Sequence, residues 1–204
     1  MDVKINKKLY GLVLAGGKSS RMKKDKALLT FNGKTQLENC YDLLTKFCDK
    51  VFLSLRKDQN FIQRVKQYPH IYDSERYENI GPMGGILSAM DQFSKISWVV
   101  LACDLPFVNE SVIKYLIDHR DSRKLATAFK STHGGLPEPL CAIYEKQSQV
   151  EMLKSLTEGI SCPRKFLINS DVALIKQLDK ISLENINTPE DHDRVLSYFQ
   201  MRAQ

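Results

Sequence analysis

Short apolar segments recur along this chain, and longer amphipathic stretches separate them. That alternation constrains the fold more than any other feature. Strands joined by helical crossovers build a mostly parallel sheet covered by helices. The candidate strands are Leu9–Leu14, Val51–Leu55, Ile71–Tyr72, Trp98–Ala102, Leu125–Phe129, Leu140–Tyr144 and Val172–Ile175. Between the first two, Leu37, Cys40, Tyr41, Leu44, Phe47 and Cys48 recur at spacings of three and four and share one helical face. Further helices are expected from Gly84 to Phe93, Glu110 to His119 and Gln149 to Leu156. A last one is signalled by Thr188 as N-cap, Pro189 at the first helical position and Asp191 three residues on. The expected class is α/β: a single domain over residues 1–204, with a mostly parallel twisted sheet and helices on both faces. Ligands in such sheets bind at the carboxyl ends of the strands.

Composition narrows the classes. With 43% hydrophobic and 26% charged residues the chain is not a disordered one. Its longest apolar run, Trp98 to Ala102, is far short of the roughly 20 residues that span a bilayer. The apolar stretch near the start, Leu12 to Ala15, is too short for a signal-peptide core. A cytoplasmic protein with no membrane partner is expected. Five cysteines without a CxxC pair read as free, buried or semi-exposed thiols. The net charge of +6 is concentrated near the N-terminus, at Lys4, Lys7, Lys8, Lys18, Arg21, Lys23, Lys24 and Lys26. Nucleic-acid binders and polyphosphate-handling enzymes share that bias. A binder of single strands would interleave aromatics for stacking, and only Phe31 qualifies between Lys18 and Lys34. No nucleic-acid partner is expected.

Three features carry chemistry. The first strand runs into Gly16 and Gly17, which lack the Cβ atoms that would hold a ligand away from the backbone N–H groups. Arg21 and Lys26 follow with a guanidinium fork and a point charge for phosphate oxygens. The segment fits neither GxxxxGK[ST] nor GxGxxG. A second glycine loop, Gly81-Pro82-Met83-Gly84-Gly85, leads into a helix whose N-terminus favours anions. Third, LACDLPF ends a strand on Asp104, a position suited to Mg²⁺, which takes one or two carboxylates and completes its shell with phosphate oxygens. Asp73 stands similarly after the Ile71–Tyr72 strand. Each feature also has a plain structural counterpart: a glycine turn beside a solvated basic run, a tight turn, an aspartate capping its own loop. Together they describe a nucleotidyltransferase, which must clamp a triphosphate and neutralise leaving pyrophosphate. His70, His119, His133 and His192 form no catalytic pairing and read as surface or packing residues.

LAGGKSSRMKKDKALL resembles the LAGGxSxRMGxDKxLL signature of molybdenum cofactor guanylyltransferases, the MobA type. GPMGGILSAM, ACDLPFV, PEPLCAIY and NINTPEDH continue the likeness in the family's order, from about Leu9 to Leu196. The resemblance implies a Rossmann-like nucleotidyltransferase fold that joins GMP from GTP to the terminal phosphate of molybdopterin and releases pyrophosphate. It implies Mg²⁺ as cofactor, and GTP and molybdopterin as partners, with transient contacts to molybdenum-cofactor enzymes or chaperones. The N-terminal half would bind nucleotide and the C-terminal half the acceptor. Leu14, Ala15 and Gly16 would hold the nucleotide through backbone groups, Gly17 would let phosphates approach, and Arg21 and Lys26 would bind them. Asp73 and Gly85 would belong to the guanine-nucleotide site, Asp104 would ligate the metal, and Asn185 and Asn187 would line the acceptor side. Lys23 replaces the family's glycine after RM, and Ser54 stands where the family often has Asn after the second strand. A CTP-using relative, or a transferase activating a sugar or alcohol phosphate, is the alternative.

Overall fold

The computed structural model describes residues 8–15, 26–31, 33–59, 65–132 and 134–202. The strands are β1 (Leu9–Leu14), β2 (Thr30–Phe31), β3 (Lys34–Thr35), β4 (Lys50–Leu55), β5 (His70–Tyr72), β6 (Ser97–Ala102), β7 (Ala126–Lys130), β8 (Pro137–Tyr144) and β9 (Val172–Lys176). Seven of them form one sheet in the order β5-β4-β1-β6-β8-β7-β9, and β2 with β3 makes a separate small hairpin. β8 runs antiparallel to both its neighbours, and every other pairing in the sheet is parallel. The chain winds outward from β1 through β4 to β5, then crosses to the other side of β1 to place β6. The order therefore switches at the β1/β6 crevice, where open α/β sheets place their ligands.

The helices are α1 (Gln36–Thr45), α2 (Pro82–Gln92), α3 (Glu110–Asp118), α4 (Ser148–Thr157), α5 (Pro163–Ile168) and α6 (Pro189–Arg202). Strand alternation splits the sheet's side chains into two cores. Val99 and Leu101 of β6 join Leu37, Cys40 and Leu44 of α1 and Val112, Ile113 and Leu116 of α3. Trp98 and Val100 join Ile86 and Met90 of α2, Met152 of α4 and Phe166 of α5. Helices thus cover both faces, as the alternating pattern requires. A third cluster packs Leu29, Phe31 and Phe107 on Ile186 and Val195, docking α6 beside the strand ends. His192 lies against the Phe31 ring there, a packing role. Cys40, Cys103 and Cys141 are buried, Cys48 is half-buried, and Cys162, at the α5 N-cap, is exposed and not buried or semi-exposed as expected.

Three differences from the sequence reading have local causes. The GPMGG segment is not a loop before a helix starting at Gly84: α2 begins at Pro82, whose fixed φ suits a first helical position. Gly81 is its N-cap at φ 66°, a left-handed conformation that favours glycine. β8 begins at Pro137, not Leu140. β6 pairs β8 only from Cys141 onward, and β7 reaches Glu138 and Pro137 across a register shift after Ala128, so the prolines interrupt no regular ladder. Ser54 lies inside β4, opposite Leu14 of β1, and not after the strand.

Candidate active site

The carboxyl ends of β1, β4, β5 and β6 converge on one edge of the sheet. Gly16, Gly17 and Arg21 lie outside the described residues. Leu14 accepts a hydrogen bond from the Cys103 N–H at 3.2 Å. The Ala15 N–H donates to the Ser54 carbonyl at 3.3 Å, and its carbonyl accepts from Gln59 Nε2 at 2.7 Å. These bonds fix the exit of β1 to β6 on one side and to the β4 turn on the other.

Asp104 follows β6 by two residues, one-fifth of its side chain exposed. Its Oδ2 stands 3.6 Å from Lys26 Nζ, while its buried Oδ1 has no hydrogen-bond partner among the described residues. Burial lifts the Asp104 carboxyl above its ordinary value against the pull of Lys26. Lys26 opens the 3-10 turn Lys26–Leu28, and its Nζ donates to Asn187 Oδ1 at 2.7 Å. The Ile186 N–H in turn donates to the Asp104 carbonyl at 2.9 Å. The Asn187 and Thr188 N–H groups donate to Asp191 Oδ2 at the start of α6. Residues far apart in sequence thus form one tethered set, with Lys26 between Asp104 and Asn187. Of the two asparagines expected on the acceptor side, Asn187 reaches Asp104's neighbourhood through Lys26.

Asp73 follows β5, and its Oδ1 accepts from Ser54 Oγ at 3.0 Å. Burial raises its pKa, opposed by the Ser54 bond and the Arg56 charge. A Cβ at Gly85 would come within 2.3 Å of Ser54 Oγ, 3.3 Å of Leu14 and 3.4 Å of Asp73. Gly85 therefore lets the first turn of α2 press against the ends of β1 and β4. The structure brings Leu14, Ser54, Asp73 and Gly85 together, and Asp104 with Lys26 and Asn187.

Beside this edge lies a cavity of about 360 Å³ whose lining includes Glu138, Arg164, Lys180, Asn185, Asn187 and Arg194. Burial raises the Glu138 carboxyl, opposed by the Leu140 N–H and the Arg164 guanidinium 3.3 Å away, and assisted by the Asp104 charge. The sequence reading did not single out Glu138, Arg164, Lys180 or Arg194. PEPL contains Glu138, but the three cations carry no local motif. Among the described residues no three His, Cys, Asp or Glu side chains gather into a metal cage. One carboxylate with an unpartnered oxygen fits a divalent cation that completes its shell with phosphate oxygens and water. Among the described residues no helix is long and apolar enough to cross a membrane.

A carboxylate and an ammonium at the switch point of the sheet, beside a polar cavity, are what a nucleotidyltransferase domain needs to hold a triphosphate. The model of the MobA-like NTP transferase domain matches residues 11–173, and this chain belongs to that family. It is 39% identical over 187 residues to the molybdenum cofactor biosynthesis bifunctional protein of Synechocystis, covering 92% of this chain and 53% of that protein. The chain thus spans about half the length of that relative. It is 27% identical to a probable molybdenum cofactor guanylyltransferase of a Geobacillus species, covering 93% of this chain and 99% of the relative. Molybdopterin-guanine dinucleotide biosynthesis protein A from Archaeoglobus fulgidus superposes with a TM-score of 0.77 at 26% identity, covering 94% and 99% of the two chains.

Proposed function

We propose that this enzyme transfers GMP from GTP to the terminal phosphate of molybdopterin, releasing pyrophosphate. The observation that carries the proposal is the unpartnered Asp104 carboxylate oxygen beside Lys26, with a cation-rimmed cavity on the Asn187 side. The names of the Geobacillus and Archaeoglobus relatives support the substrates. The attacking group is a phosphate oxygen, already anionic, so no protein base is required. Catalysis is positioning plus electrostatics. Lys26 neutralises phosphate charge, and the bond it donates to Asn187 Oδ1 aims its ammonium. Asp104 would hold Mg²⁺, which when bound supplies charge neutralisation at the α-phosphate and the departing pyrophosphate.

The glycine-loop residues Gly16, Gly17 and Arg21 would bind the phosphates, and Leu14, Ala15, Asp73 and Gly85 the nucleoside. Arg164, Lys180 and Arg194, with Asn185 and Asn187, would receive the anionic acceptor. On this reading residues from the N-terminal half hold the nucleotide and those from the C-terminal half hold the acceptor. The test is incubation with Mg²⁺, labelled GTP and molybdopterin, with CTP in a parallel arm. A guanine dinucleotide product with GTP preferred at least about 10²-fold in kcat/KM is expected. Comparable rates with CTP would assign the protein to the cytidylyl-transferring alternative.

A further inference from the structure

Among the described residues three buried side-chain polar atoms lack a hydrogen-bond partner: Trp98 Nε1, Asp104 Oδ1 and Arg56 Nη1. Trp98 is enclosed in the core. Asp104 belongs to the phosphate side of the site. Arg56 lies at the opposite, base side, and the reaction described so far gives it no task.

Arg56 immediately follows β4, and Asp73 immediately follows β5. The register pairs Leu55 with Tyr72, and the Asp73 N–H donates to the Leu55 carbonyl at 2.9 Å, so the two residues are neighbours past the strand ends. The Arg56 charge lowers the Asp73 pKa against its burial. Yet the two form no ion pair among the described residues, and Arg56 Nε donates instead to Asp58 at 2.9 Å. The Arg56 N–H donates to Gln59 Oε1 at 2.9 Å, and Gln59 Nε2 holds the Ala15 carbonyl. Gln59 is itself 6% exposed. The turn carrying Arg56 is thereby latched to the end of β1. A guanidinium nitrogen held out of water without an acceptor is costly to the free protein, and a ligand acceptor relieves that cost.

We propose that Arg56 is a specificity-determining residue of the nucleotide site, its guanidinium fork donating to O6 and N7 of the guanine base. Asp73 accepts from N1–H and the 2-amino group on the neighbouring edge. The pairing of an arginine fork with O6 and N7 is a common specific contact to guanine in nucleic-acid recognition. Adenine presents an amino donor where guanine has O6, so the fork would face a like group. Cytosine offers no such edge. Donor and acceptor side chains left unpaired by the wrong base penalise it more than lost contact area would. The inference rests on the GTP reading above and adds the group that recognises the base.

The test is nucleotide binding to the purified chain by titration calorimetry, without acceptor. The ligands are GTP, CTP, 7-deaza-GTP (which lacks the N7 acceptor) and ITP (which lacks the 2-amino group). The wild type is expected to bind 7-deaza-GTP about tenfold more weakly than GTP. Arg56→Gln and Arg56→Lys are both expected to bind GTP more weakly and to treat the two ligands alike, since lysine keeps the charge but not the fork. Discrimination against ITP, assigned to Asp73, is expected to survive in both variants. Equal affinity of the wild type for GTP and 7-deaza-GTP overturns the proposal, and this arm needs no variant to fold. Retained discrimination in Arg56→Lys overturns the fork in favour of plain charge. In either case a preference of the wild type for GTP over CTP leaves the substrate reading standing. Equal binding of CTP and GTP by the wild type overturns both.

Discussion

Asp104→Asn separates what this residue does for the fold from what it does for the reaction. The Coulomb attraction between Lys26 Nζ and Asp104 Oδ2 at 3.6 Å is about 5 kcal/mol at an effective dielectric of ~20. Burial nevertheless wins, because the carboxyl is raised above its ordinary 3.8 despite that attraction. A carboxyl raised in the folded state binds protons more tightly there than in the unfolded chain. Its contribution is most favourable below pH 3.8 and becomes a net cost as pH rises through the folded value. At neutral pH the near-isosteric amide removes that cost. The ligand-free variant is expected to melt at or slightly above the wild-type temperature, and the two proteins to converge in stability at low pH. On the proposed function the same change removes the charge that would face the metal and pyrophosphate, which is expected to lower kcat/KM by about 10²–10³. Thermal melts across pH and steady-state pyrophosphate release measure the two effects. A melting temperature lowered by more than the equivalent of about 1 kcal/mol, or turnover within tenfold of wild type, would refute the reasoning.

Lys26→Ala is expected to weaken GTP binding while leaving guanosine binding unchanged, and Asn187→Ala to act in the same direction less strongly, through the 2.7 Å bond between them. If Asn187 acts through Lys26, the double variant loses no more than Lys26→Ala alone, and additive losses in a titration would separate them. Gly85→Ala gains about 0.5–1 kcal/mol of helix propensity but drives its Cβ into Ser54 Oγ and breaks the bond to Asp73. GTP affinity is expected to fall and to recover in part in the Ser54→Ala background, read by calorimetry on all three variants. Thr35→Ala, which removes the α1 capping box, is expected to cost about 1 kcal/mol in denaturant melts. The Thr35 N–H and hydroxyl hold Glu38 below its ordinary 4.5, so its share is present above pH 4.5, disappears as pH falls through the folded value, and is absent from Glu38→Gln.

The sheet was legible because its strands are written as apolar runs and its main helices as runs spaced by three and four. Burial on both faces and the helical period act over a few residues. The Asp104 and Lys26 positions were legible in kind, since a carboxylate just past a strand and a lysine after a glycine-rich segment are local signals, but that they stand 3.6 Å apart was not. What escaped depends on contacts between distant segments. The Pro137–Pro139 start of β8 reads as a break, since only a register shift in β7 lets prolines lie there. The six-residue helix α5 is too short for a periodic signal. The bond between Asn187 and Lys26 escaped because the two lie 161 residues apart. Arg56 and Gln59 look like ordinary polar turn residues until folding sets them against Asp73 and Ala15. Sequence by itself determined the element types and the strand-end placement of Asp73 and Asp104. Tertiary structure alone decided which strand ends meet, and so which charges face each other. Pattern and propensity are set by neighbours along the chain, whereas an unpaired buried atom exists only once the packed sheet has excluded water from it.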